Sequence, residues 1–175
     1  MSKLFVDEIA SKTGTADAMT IDSSGRILTP ARPAFSARGS GSWIDVADNA
    51  TAVIAMTIAD VNVGNCYSTS TYKFTAPVAG LYQLQCNVYL KNNGGSASDS
   101  GTYGYVKMQK NGSNIAGLES IHGYLNNGDA DQTQHINGLV SLAVGDEVTL
   151  VMSSYGGGIS SYNRNNTSFH GYLVG

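Results

Sequence analysis

Residues 74–82 constrain the fold most, because a turn with two conformationally special residues leads straight into a strictly alternating run. Pro77 fixes φ in this turn, and Gly80 permits a positive φ. In the run that follows, apolar side chains alternate with polar ones, namely Tyr82, Leu84, Cys86, Val88 and Leu90 against Gln83, Gln85, Asn87, Tyr89 and Lys91. This period of two predicts a long antiparallel strand with one face in a core and the other face outside it.

The rest of the chain predicts an all-β protein of one domain with a short appendage. The 175 residues include 21 glycines and only 13% charged residues, a composition typical of a turn-rich β fold. Glycine, serine and asparagine mark loops near 92–102, 122–132 and 155–167, and Asn111-Gly112 predicts a hairpin turn. Strands are predicted near 33–38, 52–58, 72–75, 81–91, 103–110, 114–121, 134–142, 147–154 and 168–174.

Five motifs occur in an order and spacing that resembles the globular head of the C1q-like family. They are Pro33-Ala34-Phe35-Ser36-Ala37, the segment 74–82, Asn111-Gly112, Gly145-Asp146-Glu147-Val148 and Phe169-His170-Gly171-Tyr172-Leu173. Tyr72 departs from the family, which usually has glycine there, and this questions the local turn geometry. The resemblance covers residues 33–175 and implies a jelly-roll β-sandwich of the C1q and tumour-necrosis-factor type. It also implies homotrimers that bind other molecules and are not enzymes.

Residues 1–32 differ from the rest and are predicted to form an N-terminal arm, with the jelly-roll domain occupying 33–175. The short strand-like pieces at 4–6 and 19–21 cannot build a core alone, and the second is followed by the turn Asp22-Ser23-Ser24-Gly25-Arg26 and then by residues 27–30. The arm is therefore predicted to pack on sister subunits or on a larger particle. The arm contains Val6-Asp7-Glu8-Ile9-Ala10-Ser11-Lys12-Thr13, followed by Met19-Thr20-Ile21-Asp22-Ser23-Ser24-Gly25-Arg26-Ile27-Leu28-Thr29-Pro30. These two stretches resemble the N-terminal segments of small fibre proteins of tailed bacteriophages, and the resemblance implies docking to capsid or tail proteins.

Charge and motif content argue against several classes of function. The net charge of −3, without a basic cluster, disfavours a nucleic-acid partner, and no apolar run is long enough for membrane insertion. His122, His135 and His170 have no acidic or thiol partner at a useful spacing, so they are interpreted as surface or interface groups. No nucleophile elbow, zinc-protease motif or phosphate loop is present. We therefore expect no catalytic residue, no cofactor and no enzyme activity.

Four residues are candidates for metal binding or disulfide formation. Asp129 and Asp131 could hold calcium, but the closing glutamate of the usual loop is missing, so a solvated acidic loop and no metal site are expected. Cys86, on the apolar face of its strand, is interpreted as a buried thiol. A Cys66–Cys86 disulfide is the alternative, which a reducing compartment disfavours. The acidic residues near the N-terminus do not fit a signal peptide, so we expect folding in a cytoplasm.

One loop is predicted to bind a partner. Segment 155–167 mixes tyrosine, serine, glycine and asparagine with a single arginine, as evolved binding loops do. Tyrosine offers contact area at a low entropy cost, and the small polar residues offer adaptable hydrogen bonds. The alternative is an ordinary exposed turn. The predicted binding residues are Tyr155, Tyr162, Asn163, Arg164 and Asn165.

These observations favour a bacteriophage structural protein at the virion surface. The hypothesis is a short trimeric fibre or decoration knob, attached to capsid or tail by the arm, which adsorbs to a host surface carbohydrate or protein or braces the shell. The alternative is a stand-alone soluble C1q-like binding module, bacterial or animal. A depolymerising enzyme is disfavoured because the chain lacks paired carboxylates and the length of a β-helix.

Overall fold

The computed structural model describes residues 6–10, 17–41, 43–92, 103–123, 132–156 and 160–175, which form three antiparallel sheets. A single 3-10 turn, Arg164–Asn166, is the one helical element in these ranges. The strands are β1 (Glu8–Ala10), β2 (Asp17–Ile21), β3 (Ile27–Leu28), β4 (Ala34–Arg38), β5 (Trp43–Val46), β6 (Thr51–Val53), β7 (Ile58–Val63), β8 (Tyr67–Ser68), β9 (Lys73–Thr75), β10 (Gly80–Asn92), β11 (Tyr103–Lys110), β12 (Ser113–Gly123), β13 (Gln132–Leu142), β14 (Glu147–Tyr155), β15 (Ser160–Asn163) and β16 (Ser168–Leu173).

Two of the sheets share one core and confirm the predicted all-β sandwich. The β10 sheet has the order β5-β15-β10-β16-β4-β7, and β13 also pairs with β10. The β14 sheet has the order β12-β11-β14-β9-β8, and β6 also pairs with β14. Rings from both sheets meet at the centre, where Phe35 lies 4.8 Å from Phe74 and 5.2 Å from Tyr67 between ring centroids. This aromatic cluster ties the two layers together.

The alternating run at 81–91 forms the predicted strand, β10, which is the longest in the described chain. Its apolar members, including Leu84 and Cys86, are buried, while Gln85 on the other face is exposed. β10 pairs along most of its length with β13 and through Tyr82–Asn87 with β16, so it lies at the centre of its sheet. The prediction of one core face and one outer face is confirmed.

Gly80 has a different role from the predicted one. It is absent from the glycines with positive φ, so left-handed geometry is not what requires glycine there. A Cβ atom at Gly80 would lie 2.6 Å from Leu173 Cδ1 and 2.9 Å from the carbonyl oxygen of Gly175. The C-terminus packs this closely because Leu81 N donates to Gly175 O at 2.8 Å and Val174 N donates to Leu81 O at 2.7 Å. Gly80 is therefore needed for close packing.

The turns at Asn111-Gly112 and at Tyr72 are among those with positive φ values. Asn111 (φ 50°) and Gly112 (φ 80°) join β11 to β12, which confirms the predicted hairpin. The Asn111 side chain donates to Asp146 Oδ1 at 2.7 Å and accepts from Glu147 N at 2.9 Å, linking this turn to the next one. Tyr72 has φ 60°, a conformation that glycine adopts without strain. The local departure at Tyr72 is thus a strained backbone position within an intact fold.

The segment predicted as one strand at 52–58 is two strands in two different sheets. β6 pairs with β14, whereas β7 pairs with β4 in the β10 sheet. Between them the chain crosses the sandwich, and Ile54 and Met56 are buried on the way. Periodicity missed the break because the crossing residues are as apolar as a strand interior. The short strands β5 and β8 were not predicted either.

Both cysteines are free and buried. The Cys66 thiol contacts the carbonyl oxygen of Val63 at 3.3 Å. Burial raises the pKa of the Cys86 thiol to about 12, which keeps it protonated and unreactive. The prediction of a buried thiol at Cys86 is confirmed, and the alternative disulfide is not formed.

The arm contains a three-stranded sheet of the order β1-β2-β3. Register places Ile9 opposite Met19 and Ile21 opposite Ile27, so these four side chains share one face. The turn between β2 and β3 is held by Asp22, whose carboxylate accepts from Arg26 Nε at 2.7 Å. The predicted strand piece at 19–21 and the turn are confirmed, whereas the piece predicted at 4–6 lies mostly outside the described residues. No second layer covers the apolar face within the described chain.

Candidate interaction surfaces

Tyr162, one of the predicted binding residues, lies in the core. It is 1% exposed and sits on β15, opposite Leu90 of β10 and Ile44 of β5. Its hydroxyl accepts a hydrogen bond from Ala55 N at 3.1 Å. The prediction of Tyr162 as a contact residue is therefore wrong. Segment 155–167 was interpreted as a loop, but β15 inserts Tyr162 between two strands with its ring inward.

The other predicted residues of this segment differ in what they can contact. Asn165 is exposed, and its side-chain oxygen accepts from Gly41 N at 3.0 Å, which ties the 3-10 turn to the β4–β5 connection. Asn163 ends β15 and Arg164 begins the 3-10 turn, but their side chains lie outside the described part. Tyr155 is half-buried at the end of β14. A binding role for the segment stays a prediction, with Tyr155 as its aromatic candidate.

Tyr155 belongs to an aromatic cluster that sequence reasoning missed, the tyrosine patch of Tyr103, Tyr105 and Tyr155. Tyr103 and Tyr155 are directly paired across β11 and β14, with ring centroids 5.5 Å apart and planes inclined by 25°. The Tyr105 ring meets both edge-on, at 5.7 Å from Tyr103 and 6.0 Å from Tyr155. The sequence pattern that could have predicted this cluster is the alternation within β11, where Tyr103 and Tyr105 flank Gly104 and therefore share a face.

Polar and aliphatic groups surround the tyrosine patch on the outer face of the β14 sheet. Lys107 Nζ lies 4.4 Å from the centroid of the Tyr105 ring, a cation–π contact. Strand β12 places Glu119 opposite Lys107 and Ile121 opposite Tyr105. Tyr103 remains 40% exposed. The patch thus offers ring surface next to an ammonium and a carboxylate group.

The outer face of the β10 sheet, called here the β10 face, carries exposed apolar side chains at one end. Leu139 on β13 and Tyr172 on β16 flank Gln83 in register, and Leu139 is 57% exposed. Leu81, two residues before Gln83 on β10, and Val174, which follows β16 and donates its backbone N–H to Leu81 O, are also exposed. Together they form a row of apolar surface that crosses three strands, of the kind that marks association surfaces.

The other end of the β10 face is polar. Gln85 lies between Asn137 and His170, and the next register row carries His135 opposite Asn87. His135 Nδ1 lies 2.6 Å from Asn87 Oδ1. Burial lowers the pKa of His170, and the nearby Asp60 charge opposes that shift in part. His135 is exposed and His170 is half-buried on this outer face, which agrees with their interpretation as surface or interface groups.

No group of three or more potential metal ligands occurs among the residues that the structure describes. The predicted acidic loop with Asp129 and Asp131 lies outside the described residues, as does the side chain of His122. In the described parts of the chain, no helix has the length and apolar character needed to cross a membrane.

Comparisons with known proteins identify the domain. The C1q domain family model matches residues 34–174. The TNF protein Eiger from S. frugiperda has a similar structure, with a TM-score of 0.60 at 13% identity, covering 82% of this chain and 93% of that chain. The globular domain of the zebrafish complement 1qA protein gives a TM-score of 0.56 at 14% identity, covering 82% and 98%. At such identities the structural likeness shows the fold, a C1q/TNF jelly roll.

The family match begins at the first residue of β4, ends one residue before the C-terminus and leaves the arm aside. No curated protein matches the sequence. Since the C1q domain model covers most of its length, the chain belongs to the C1q domain family.

Proposed function

We propose that this chain is a binding module that assembles as a homotrimer through the β10 face. The observation that carries the proposal is the exposed apolar row of Leu81, Leu139, Tyr172 and Val174 at one end of that face. Trimers are typical of C1q and TNF domains, the family and fold to which the chain belongs. Association would remove this apolar surface from water, which is the main driving force for stable oligomers.

The polar half of the β10 face supports a specific assembly over loose aggregation. Gln85, His135 and His170 present donors and acceptors beside the apolar row, and such groups must be paired when they are buried. If the subunits met in a wrong alignment, these buried polar groups would lack hydrogen-bond partners, at a cost of roughly 1–3 kcal/mol each. The proposed interface is thus apolar at one end for affinity and polar at the other for register.

Light scattering of the purified chain tests the assembly. A trimer should give about three times the 18.3 kDa chain mass at micromolar concentration. Leu139→Asp should reduce this to the monomer mass, because three desolvated carboxylates would enter one interface. Ile121→Asp is the matched control, since Ile121 is 59% exposed on the β14 sheet and should leave the trimer intact. A wild-type monomer, or a Leu139→Asp trimer, would contradict the proposal.

We propose further that the trimer is a short fibre or decoration knob on the virion of a tailed bacteriophage, docked to capsid or tail by residues 1–32. One support is the sequence of the arm, which resembles that of phage fibre proteins. The other is the uncovered apolar face of the arm, where Ile9, Ile21 and Ile27 are exposed. A groove of about 410 Å³, lined in part by Ala18 of the arm and Leu173 of the domain, lies between the two.

Deletion of residues 1–32 tests the docking role. The truncated chain should keep the trimer mass but be missing from particles assembled in the presence of the full-length capsid and tail proteins. Incorporation of the truncated chain would contradict docking by the arm. If the full-length chain is also absent from purified particles, the stand-alone C1q-like binding module is the better account, and the family match is as consistent with it.

A further inference from the structure

We infer that the tyrosine patch is a carbohydrate-binding site for a pyranose ring of a surface glycan. The inference deepens the proposed binding role, on which it rests, by naming the residues and the ligand class. Tyr103, Tyr105 and Tyr155 come from two neighbouring strands and present ring surface on the outer face of the β14 sheet. This face is opposite to the one proposed for assembly, so the patch stays accessible in a trimer.

The three rings hold each other in place. Tyr103 and Tyr155 have nearly parallel planes, and Tyr105 abuts both edge-on within 6.0 Å. Lys107 lies over Tyr105 and restricts it further. A ligand that stacks on this cluster would immobilise few additional side chains, which lowers the entropic cost of binding.

The size of the patch fits a sugar better than a folded protein. An aromatic side chain can bury ~150–250 Å², so Tyr103 at 40% exposure offers roughly 60–100 Å². Tyr105 and Tyr155 are half-buried, so the three rings together expose at most about 300 Å². A standard protein interface needs about 800 Å² from each partner. The exposed ring surface therefore matches one or two sugar rings.

The chemistry around the rings matches the two sides of a pyranose. Its axial C–H groups form an apolar face that can stack on an exposed tyrosine ring, while its hydroxyls need donors and acceptors at the rim. Lys107 supplies an ammonium donor 4.4 Å from the Tyr105 centroid, and Glu119, paired with Lys107 in register, supplies a carboxylate acceptor. Both groups lie on the same sheet face as the rings.

The test is titration calorimetry of the full-length chain with cellohexaose, chitohexaose and maltohexaose. At least one should bind with a Kd of about 1 mM or tighter. Tyr103→Ala and Tyr155→Ala should each weaken that binding at least about tenfold. Removing a ring could also loosen the sheet, so a second variant, Tyr103→Leu, keeps apolar bulk at this position without a ring. It should weaken glycan binding to the same degree, while its thermal unfolding midpoint stays near that of the wild type.

Tyr72→Asn is the matched control. Tyr72 precedes β9, which pairs with β14 near Thr149, about 20 Å along the strand from Tyr155. Asparagine tolerates its φ of 60°, and glycan binding should be unchanged. Failure of all three glycans to bind the folded chain, or equal binding by the Tyr103 variants and the wild type, would overturn the inference. The trimer mass is measured separately, so either result leaves the assembly proposal to its own test.

Discussion

The jelly-roll domain and the arm are both antiparallel β-structure, but the domain buries the apolar side chains of its strands and the arm leaves them exposed. Leu84 in β10 is 0% exposed, whereas Ile27 in β3 is 65% exposed. Each lies on a strand with regular pairing partners. The difference is the second layer, because the β14 sheet covers the inner face of the β10 sheet and no described element covers the apolar face of the arm.

The comparison teaches that strand formation and burial are separate steps. In the arm, the Asp22–Arg26 turn and a few ladder bonds define the strands, and such a small sheet is marginal in water. In the domain, the same local geometry is stabilised by a shared core. We therefore expect core substitutions to change global unfolding strongly and arm substitutions to change it little.

The largest expected effect is that of Leu84→Ala. A buried leucine leaves a cavity when truncated, so the free energy of unfolding should fall by about 2–5 kcal/mol. Gln83→Ala, on the opposite face of the same strand, should cost far less unless the β10 face is an interface. Denaturant unfolding at fixed chain concentration measures both. Equal losses in the Leu139→Asp background, in which the proposed interface is disrupted, would contradict the observed alternation.

Gly171→Ala should come next. A Cβ atom at Gly171 would lie 2.6 Å from both Leu84 Cδ2 and Phe35 Cε1, so the core must shift at a cost of about 1–3 kcal/mol. Gly25→Ala in the arm is the contrasting change, with φ 77° and nothing within 4 Å. Its strain should affect the arm alone, and a comparable loss in global unfolding would show that arm and domain unfold together.

Substitutions at Tyr72 should reverse the usual order of alanine and glycine. With φ 60°, alanine keeps the left-handed strain that glycine avoids, so Tyr72→Gly should be more stable than Tyr72→Ala by about 1 kcal/mol. Thermal unfolding of the two variants checks this. Alanine being equal or better would indicate that the turn relaxes to another conformation.

His170 should make the domain lose stability on acidification. Burial lowers its folded pKa below the ordinary value of 6.5, so the unfolded chain binds more protons as the pH falls through this value. The contribution of neutral His170 to the free energy of unfolding is fully present above pH 6.5 and declines below it. Unfolding midpoints measured across this range should show a shift that His170→Gln removes. An unchanged pH profile in His170→Gln would contradict this assignment.

The smallest effect is expected from Ile27→Ser in the arm. Its side chain is largely in solvent, so global unfolding of the isolated chain should change by less than about 0.5 kcal/mol. The same variant should reduce incorporation into particles if the arm docks through its apolar face. A large loss of stability without particles would instead show that sister subunits already cover that face.

Local signals were enough to predict much of the domain. The alternation of β10 predicted which side chains enter the core, since a half-buried strand must alternate. Asn111-Gly112 predicted its hairpin because both residues accept the required positive φ. The strands β11, β12, β14 and β16 were predicted within two residues of their observed ends. These features depend on neighbours within a few positions, and the sequence determined them by itself.

The features that only the tertiary structure decided depend on which distant segments meet. Tyr162 was interpreted as a loop residue, but pairing with β10 and β5 buries it. Gly80 is required by the approach of the C-terminus and not by its own φ. The tyrosine patch exists because β11 and β14 align Tyr103 with Tyr155. Such contacts join residues 50 or more positions apart, and no local periodicity encodes which strands become neighbours.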